Sequence, residues 1–225
     1  MTRRSSSRRF RGFRVMLIAR GSDYRGPVPN LLPDPPSPFS ALIFDLDGTL
    51  VDSVSAYRLA FSDALHPHGV SLDEDWFQDH AGYGASDLLR ALQADFGFHF
   101  DLTDVLEGFE RSYLDAVGEV RVVPEVLAIV RRHYGRVPLA VATGGRRSIV
   151  VPTLRAALLE GWFATVITIE DVQQGKPAPD LFLLAAERLG VPPRGCVVYE
   201  DSAQGLAAAR AAGMAAVDVT KARTA

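Results

Sequence analysis

Apolar positions along this chain alternate between two patterns. Short runs with β-branched character occur at ALIFDL (41–46), RVPLAVAT (136–143), FATVIT (163–168), CVVYE (196–200) and AAVDV (215–219). Runs of this length and composition, bounded by polar or glycine-bearing segments, predict strands buried on both faces. Between the later runs lie PEVLAIVRRHY, SIVVPTLRAALLE, APDLFLLAAERLG and SAQGLAAARAAG, which carry helical periodicity, and several are led by proline or serine or closed by glycine. Strict alternation of strand and helix predicts an α/β fold, a Rossmann-like parallel sheet with helices on both faces. From Asp52 to about Val120 the rhythm breaks: SAYRLAFSDALH, DEDWFQDH, ASDLLRALQADF and TDVLEGFERSYLDAV are helical and no strand is expected. An insertion that leaves after the first strand and returns before the second sits above the C-terminal edge of the sheet, where open α/β sheets bind ligands. The expected organisation is a core of residues 40–52 and 121–225, with an inserted α-helical cap over 53–120.

Composition adds little to this picture and charge adds something only at the N-terminus. The 225 residues suffice for one substantial core with an appended unit, and 48% hydrophobic with 23% charged residues is ordinary for a folded chain. A net charge of −3 gives no general attraction to nucleic acid or to anionic membrane. Residues 1–39 are read as a disordered leader, arginine- and serine-rich at first and proline-rich from 26 to 40, with an extended linker before Ser40. Its apolar run VMLIA is too short for a secretory signal, although SRRF echoes a twin-arginine signal. No run approaches the roughly 20 apolar residues of a membrane span. The single Cys196 excludes an intramolecular disulfide and a multi-cysteine metal cluster, and fits a cytoplasmic location. The expected state is a monomer or weak dimer.

The candidate chemistry lies at the strand ends. Asp45 and Asp47 follow the first strand, Thr143 and Gly144 follow the second, Glu200 and Asp201 follow CVVY, and Lys176 lies in the loop GKPAPD. Parallel strands bring these distant residues to one edge. Alone, an aspartate after a strand is a helix cap or turn former. Four carboxylates at one rim repel each other unless a cation and an anion share the site, and Mg²⁺ with a phosphate group is the economical answer. Lys176 is one of only two lysines; its compact ammonium suits contact with both a carboxylate and a phosphate oxygen. His66 and His68, in HPHG, read as a turn rather than a metal site.

FDLDGTLVDS, VATGG, GKPAPDLFLLAAERLG and CVVYEDSAQGLAAARAAG resemble, in order and spacing, the four motifs of the haloacid dehalogenase-like hydrolases, in their helical-cap branch. The later part, from GRVPLAVATGG to AAGMAAVDV, looks like bacterial sugar-phosphate phosphatases related to fructose-1-phosphatase and β-phosphoglucomutase. The resemblance implies that Asp45 is the nucleophile, Asp47 the general acid and base, and that Thr143, the Gly144 amide and Lys176 hold the phosphate. It implies Mg²⁺ bound by Asp45, the backbone carbonyl of Asp47 and Asp201, with Glu200 supporting or ligating. A dehalogenase would not need Asp47, and a phosphonatase would need a cap lysine, which is absent. Tyr57 stands where a β-phosphoglucomutase has a histidine, Ala85 near where it has a phosphate-gripping arginine, and Val54 where many relatives have an acid. Hydrolysis of a small phosphorylated metabolite, a sugar or polyol monophosphate, is therefore expected over mutase transfer or phosphoglycolate-type activity. In the cap segment HAGYGASDLL, Gly82, Tyr83 and Ser86 are the expected substrate contacts and suit a neutral polyol.

Overall fold

The computed structural model describes residues 32–80 and 83–222. Five strands, β1 (Ala41–Phe44), β4 (Leu139–Ala142), β5 (Thr165–Ile167), β6 (Cys196–Glu200) and β7 (Ala215–Asp218), form one parallel sheet in the order β5-β4-β1-β6-β7. β1 is central: Leu42 faces Leu139 on one side and Val197 on the other. The period of two then divides its side chains between two cores. Ala41 and Ile43 pack with Leu181 and Phe182 of α7 (Asp180–Leu189) and Ala208 of α8 (Ala203–Ala211). Leu42 and Phe44 face Val126 of α5 (Pro124–His133) and Ile149 of α6 (Arg147–Ala156). All four β1 residues are fully buried, as a two-sided strand requires.

Between β1 and β4 the chain builds α1 (Val54–Leu65), α2 (Glu74–Asp79), α3 (Ala85–Phe96) and α4 (Leu102–Ala116). Asp101 starts α4 by accepting from the amides of Thr103 and Asp104 at 2.7 and 3.2 Å, and Gly97 ends α3 at φ 68°. The rings of Phe61 and Phe109 stack at 4.3 Å to tie α1 to α4. This is the inserted helical cap. The apolar pattern did not announce a two-residue ribbon in which β2 (Val51–Asp52) pairs antiparallel with β3 (Arg121–Val122), where the chain leaves and re-enters the core.

Residues 1–31 of the expected leader, its basic part and the start of its proline-rich part, lie outside the described residues. Residues 32–39 depart from the expected disorder. Leu32 is 2% exposed within the main core, the Tyr199 hydroxyl donates to Pro33 O at 3.4 Å, and Asp34 pairs with Arg132. Prolines exclude helix here without preventing docking of an extended segment. Among the described residues no helix is long and apolar enough to cross a membrane.

Candidate active site

The C-terminal ends of β1, β4 and β6 open into a cavity of about 490 Å³ roofed by the cap. At its floor Lys176 Nζ donates to Asp45 Oδ1 at 2.5 Å and to Glu200 Oε2 at 2.6 Å, with all three side chains at most 10% exposed. The other Glu200 oxygen accepts from the Ser202 amide at 3.0 Å and hydroxyl at 2.8 Å. Asp201 accepts from the Thr49 hydroxyl at 2.9 Å. Two glycines permit this crowding: a Cβ on Gly205 would collide with the Glu200 carboxylate, and one on Gly48 with that of Asp201. Gly48 also has φ 77°, which carries the chain sharply away after Asp47.

Ligand oxygens of Asp45, Glu200 and Asp201 lie within 4.8 Å of one another. Three carboxylates against one ammonium leave two negative charges without compensation. Burial, then the Glu200 charge, push the Asp45 carboxyl well above its ordinary range, and the same two causes push Asp201 up to about 6. Burial works against the Lys176 charge, but Asp45 and Glu200 outweigh it and hold the ammonium firmly protonated. An all-oxygen acidic donor set short of positive charge fits a hard divalent cation.

Asp47 is kept apart from this cluster. Its carboxylate accepts from the Ser53 hydroxyl at 2.6 Å and the Tyr57 hydroxyl at 3.4 Å. Burial raises its pKa, and the two hydroxyl bonds oppose the rise. Thr143 is 1% exposed and accepts from the Gly145 amide at 3.0 Å, and Thr143 and Gly144 line the cavity. From the cap, Tyr83 and Ser86 line the same cavity. Tyr83 rests edge-on against His80, centroids 5.1 Å apart, and His80 stacks on Trp76 at 4.0 Å. Gly82 lies outside the described residues. His66 and His68 form a 3₁₀ turn away from the cluster, where His68 Nε2 lies 3.5 Å from Asp104.

The sequence reading missed Thr49, Ser53, Glu110 and Arg146, and took Tyr57 only as a departure. Ser53 and Tyr57 carried a usable signal, because residues four apart at the start of a helix share one face, here the face toward Asp47. Arg146 and Glu110 carried none, since 36 positions separate a loop arginine from a cap glutamate that it meets at 3.3 Å.

Comparison with known proteins agrees with the geometry. A family model described as haloacid dehalogenase-like hydrolase matches residues 39–213. The chain is 37% identical over 185 residues to fructose-1-phosphate phosphatase YqaB of Escherichia coli, covering 80% of this chain and 96% of that protein. It is 33% identical over 178 residues to a phosphorylated carbohydrates phosphatase of Thermotoga maritima, covering 77% and 82% respectively. The fold matches that of CbbY from Rhodobacter sphaeroides with a TM-score of 0.72 at 24% identity, over 80% of this chain and 85% of that one. The chain belongs to the haloacid dehalogenase-like hydrolase family and is an enzyme, a phosphoric monoester hydrolase.

Proposed function

We propose that the enzyme is a Mg²⁺-dependent phosphatase of small sugar or polyol phosphate monoesters, acting through an aspartyl-phosphate on Asp45. The observation that carries this reading is the separation of the two aspartates. Asp45 sits against Lys176 among acids, while Asp47 is turned to Ser53 and Tyr57. The printed names of two relatives, one a fructose-1-phosphate phosphatase and one a phosphorylated carbohydrates phosphatase, support the substrate class.

In the first half-reaction an Asp45 oxygen attacks phosphorus and the bond to the sugar oxygen breaks. That oxygen takes the proton of Asp47, whose raised pKa keeps the proton available. In the second half-reaction Asp47, now ionised, accepts a proton from water. The water oxygen attacks phosphorus, and Asp45 departs as a carboxylate with release of inorganic phosphate. Thr143, the Gly144 amide and Lys176 hold the phosphoryl oxygens through both halves and keep Asp45 in line. Side chains of Asp45 and Asp201 and the carbonyl of Asp47, with Glu200 beside them, are the residues to hold Mg²⁺. When bound, it supplies the positive charge that lets an anionic nucleophile meet an anionic phosphate.

The test is phosphate release from a panel of sugar and polyol monophosphates with Mg²⁺ present. Free phosphate from such esters is the expected result. Conversion to an isomeric phosphate without release would replace this reading with a mutase.

A further inference from the structure

Cap and core meet along a seam between α4 and α6. Outside the cavity lining the seam is closed by buried groups: the hydroxyls of Tyr113 and Thr153 lie 3.1 Å apart, and both residues are fully buried. Glu110 stands one turn earlier on α4, and Arg146 is the N-cap of α6, so a second contact falls where the seam reaches the cavity. There Arg146 Nη1 is 3.3 Å from Glu110 Oε1. Beside it the cap descends onto the loop after β4, where a Cβ on Gly84 would lie 3.9 Å from Gly144 O.

The guanidinium of Arg146 touches one acid on each side of this seam. Its Nε is 3.7 Å from Glu170 Oε1, and the other Glu170 oxygen accepts from the Arg147 amide at 2.7 Å, which ties Glu170 to the core. Glu110 belongs to the cap, and its Oε1 is enclosed with no hydrogen-bond partner. Bringing the cap down therefore encloses a carboxylate oxygen, and Arg146 is the cation that offsets the cost. When this end of the seam parts, Arg146 keeps Glu170 and Glu110 regains water. The pair is not aligned as a hydrogen bond and the Arg146 side chain is 50% exposed, so it is weak enough to break at every turnover.

We propose that Arg146 is a positioning residue for the cap, latching Glu110 when the cap is down and passing to Glu170 when the cap lifts. It acts on turnover through cap closure and not by touching the phosphate or the alcohol. A latch made of one half-exposed ion pair also renders closure sensitive to ionic strength. The assignment goes beyond the reaction proposed above and holds for whichever monoester is turned over.

The experiment assays the full chain with Mg²⁺ on fructose 1-phosphate and p-nitrophenyl phosphate, comparing wild type, Arg146→Gln, Glu110→Gln and the double variant. Arg146→Gln leaves Glu110 enclosed without its cation, and kcat/KM is expected to fall about tenfold, through KM with kcat retained. Glu110→Gln leaves Arg146 on Glu170 and should cost less than about threefold. Removing both charges should bring kcat/KM back to within about threefold of wild type, because no charge is then stranded. Raising KCl from about 0.05 to 0.5 M should lower kcat/KM more steeply in wild type than in the double variant. A loss in Arg146→Gln that Glu110→Gln does not relieve overturns the assignment and makes Arg146 a direct substrate contact. A loss below about twofold in Arg146→Gln overturns it as well. Should Arg146→Gln not fold, the salt slopes of wild type and Glu110→Gln decide, and equal slopes exclude the latch. Failure of fructose 1-phosphate alone strikes the substrate reading and leaves this one to be read on p-nitrophenyl phosphate.

Discussion

On the core wall Asp45, Lys176 and Glu200 are at most 10% exposed, and Lys176 meets both acids within 2.6 Å. On the cap wall Tyr83 is 38% exposed, and Glu110 holds a buried oxygen without a hydrogen bond. In the first wall Asp45 and Glu200 stand at the ends of adjacent hydrogen-bonded strands, and Lys176 reaches them from the loop before α7. The second is carried by helices that share an apolar cluster with one face of the core and are tied to it also by the two-residue ribbon and by Tyr113 to Thr153 at 3.1 Å. On the proposed reading the reacting groups belong to the sheet and the alcohol-facing groups to the helices laid over it, with Ser53 and Tyr57 as the link between the two.

The two walls can be perturbed separately, and the largest effects belong to the core wall. Asp45→Asn is expected to abolish phosphate release while leaving the far-ultraviolet circular dichroism intact; retained turnover would remove the covalent step. Chelating divalent ions comes next. Activity is expected to vanish, and addition of Mg²⁺ to metal-free protein to raise the melting temperature. The rise should be larger at pH 7 than at pH 5. The folded carboxyl of Asp201 titrates at about 6, above an unfolded value of about 4, so the folded state binds more protons in that window. The metal-free protein therefore loses stability as pH rises through it, and bound metal removes the cause. An equal increment at both pH values would mean that the acidic cluster is not the metal site.

A third measurement lies away from both walls. Leu32→Ala is expected to cost about 2 kcal/mol in urea unfolding, as for a buried leucine. Turnover should not change. No loss of stability would return residues 32–39 to the status of a loose linker. On the cap wall, Tyr57→Phe should lower kcat by about threefold to tenfold. It also removes a bond that favours ionised Asp47, so the Asp47 pKa rises and both limbs of the pH–rate profile move upward. A profile displaced downward would contradict the role given to that bond. The smallest effect expected is for Arg147→Ala, about 0.5 kcal/mol, because the side chain is 49% exposed. Burial opposes ionisation of Asp171, but Thr168 and Arg147 hold its pKa below the ordinary value. The lost stability should be present at neutral pH and disappear as acid protonates Asp171.

The sheet, the cap helices and the core-wall residues were legible because their signals are local: apolar runs of four to five residues, helical periodicity, and acids placed directly after strands. The ribbon β2/β3 was not, since two residues cannot display a period and Val51 and Val122 are 71 positions apart. Leu32 was hidden by its surroundings, where proline density masked a single apolar residue that docks. Glu110 and Arg146 were illegible for a different reason. Each is an ordinary charged residue on its own element, and only the fold of the cap over the core gives the pair a meaning.

The ribbon has one more consequence. Asp52 faces Arg121, so the chain leaves the core and comes back to it through neighbouring residues. A segment whose two ends are neighbours can be exchanged for another without reordering a strand, provided the replacement covers the apolar face that the core shares with the present cap. The cap is in that sense a cassette. A different helical unit spliced between Asp52 and Arg121 would leave Asp45, Asp47, Thr143 and Lys176 on the core, and would have to supply anew the two hydroxyls that Ser53 and Tyr57 hold against Asp47.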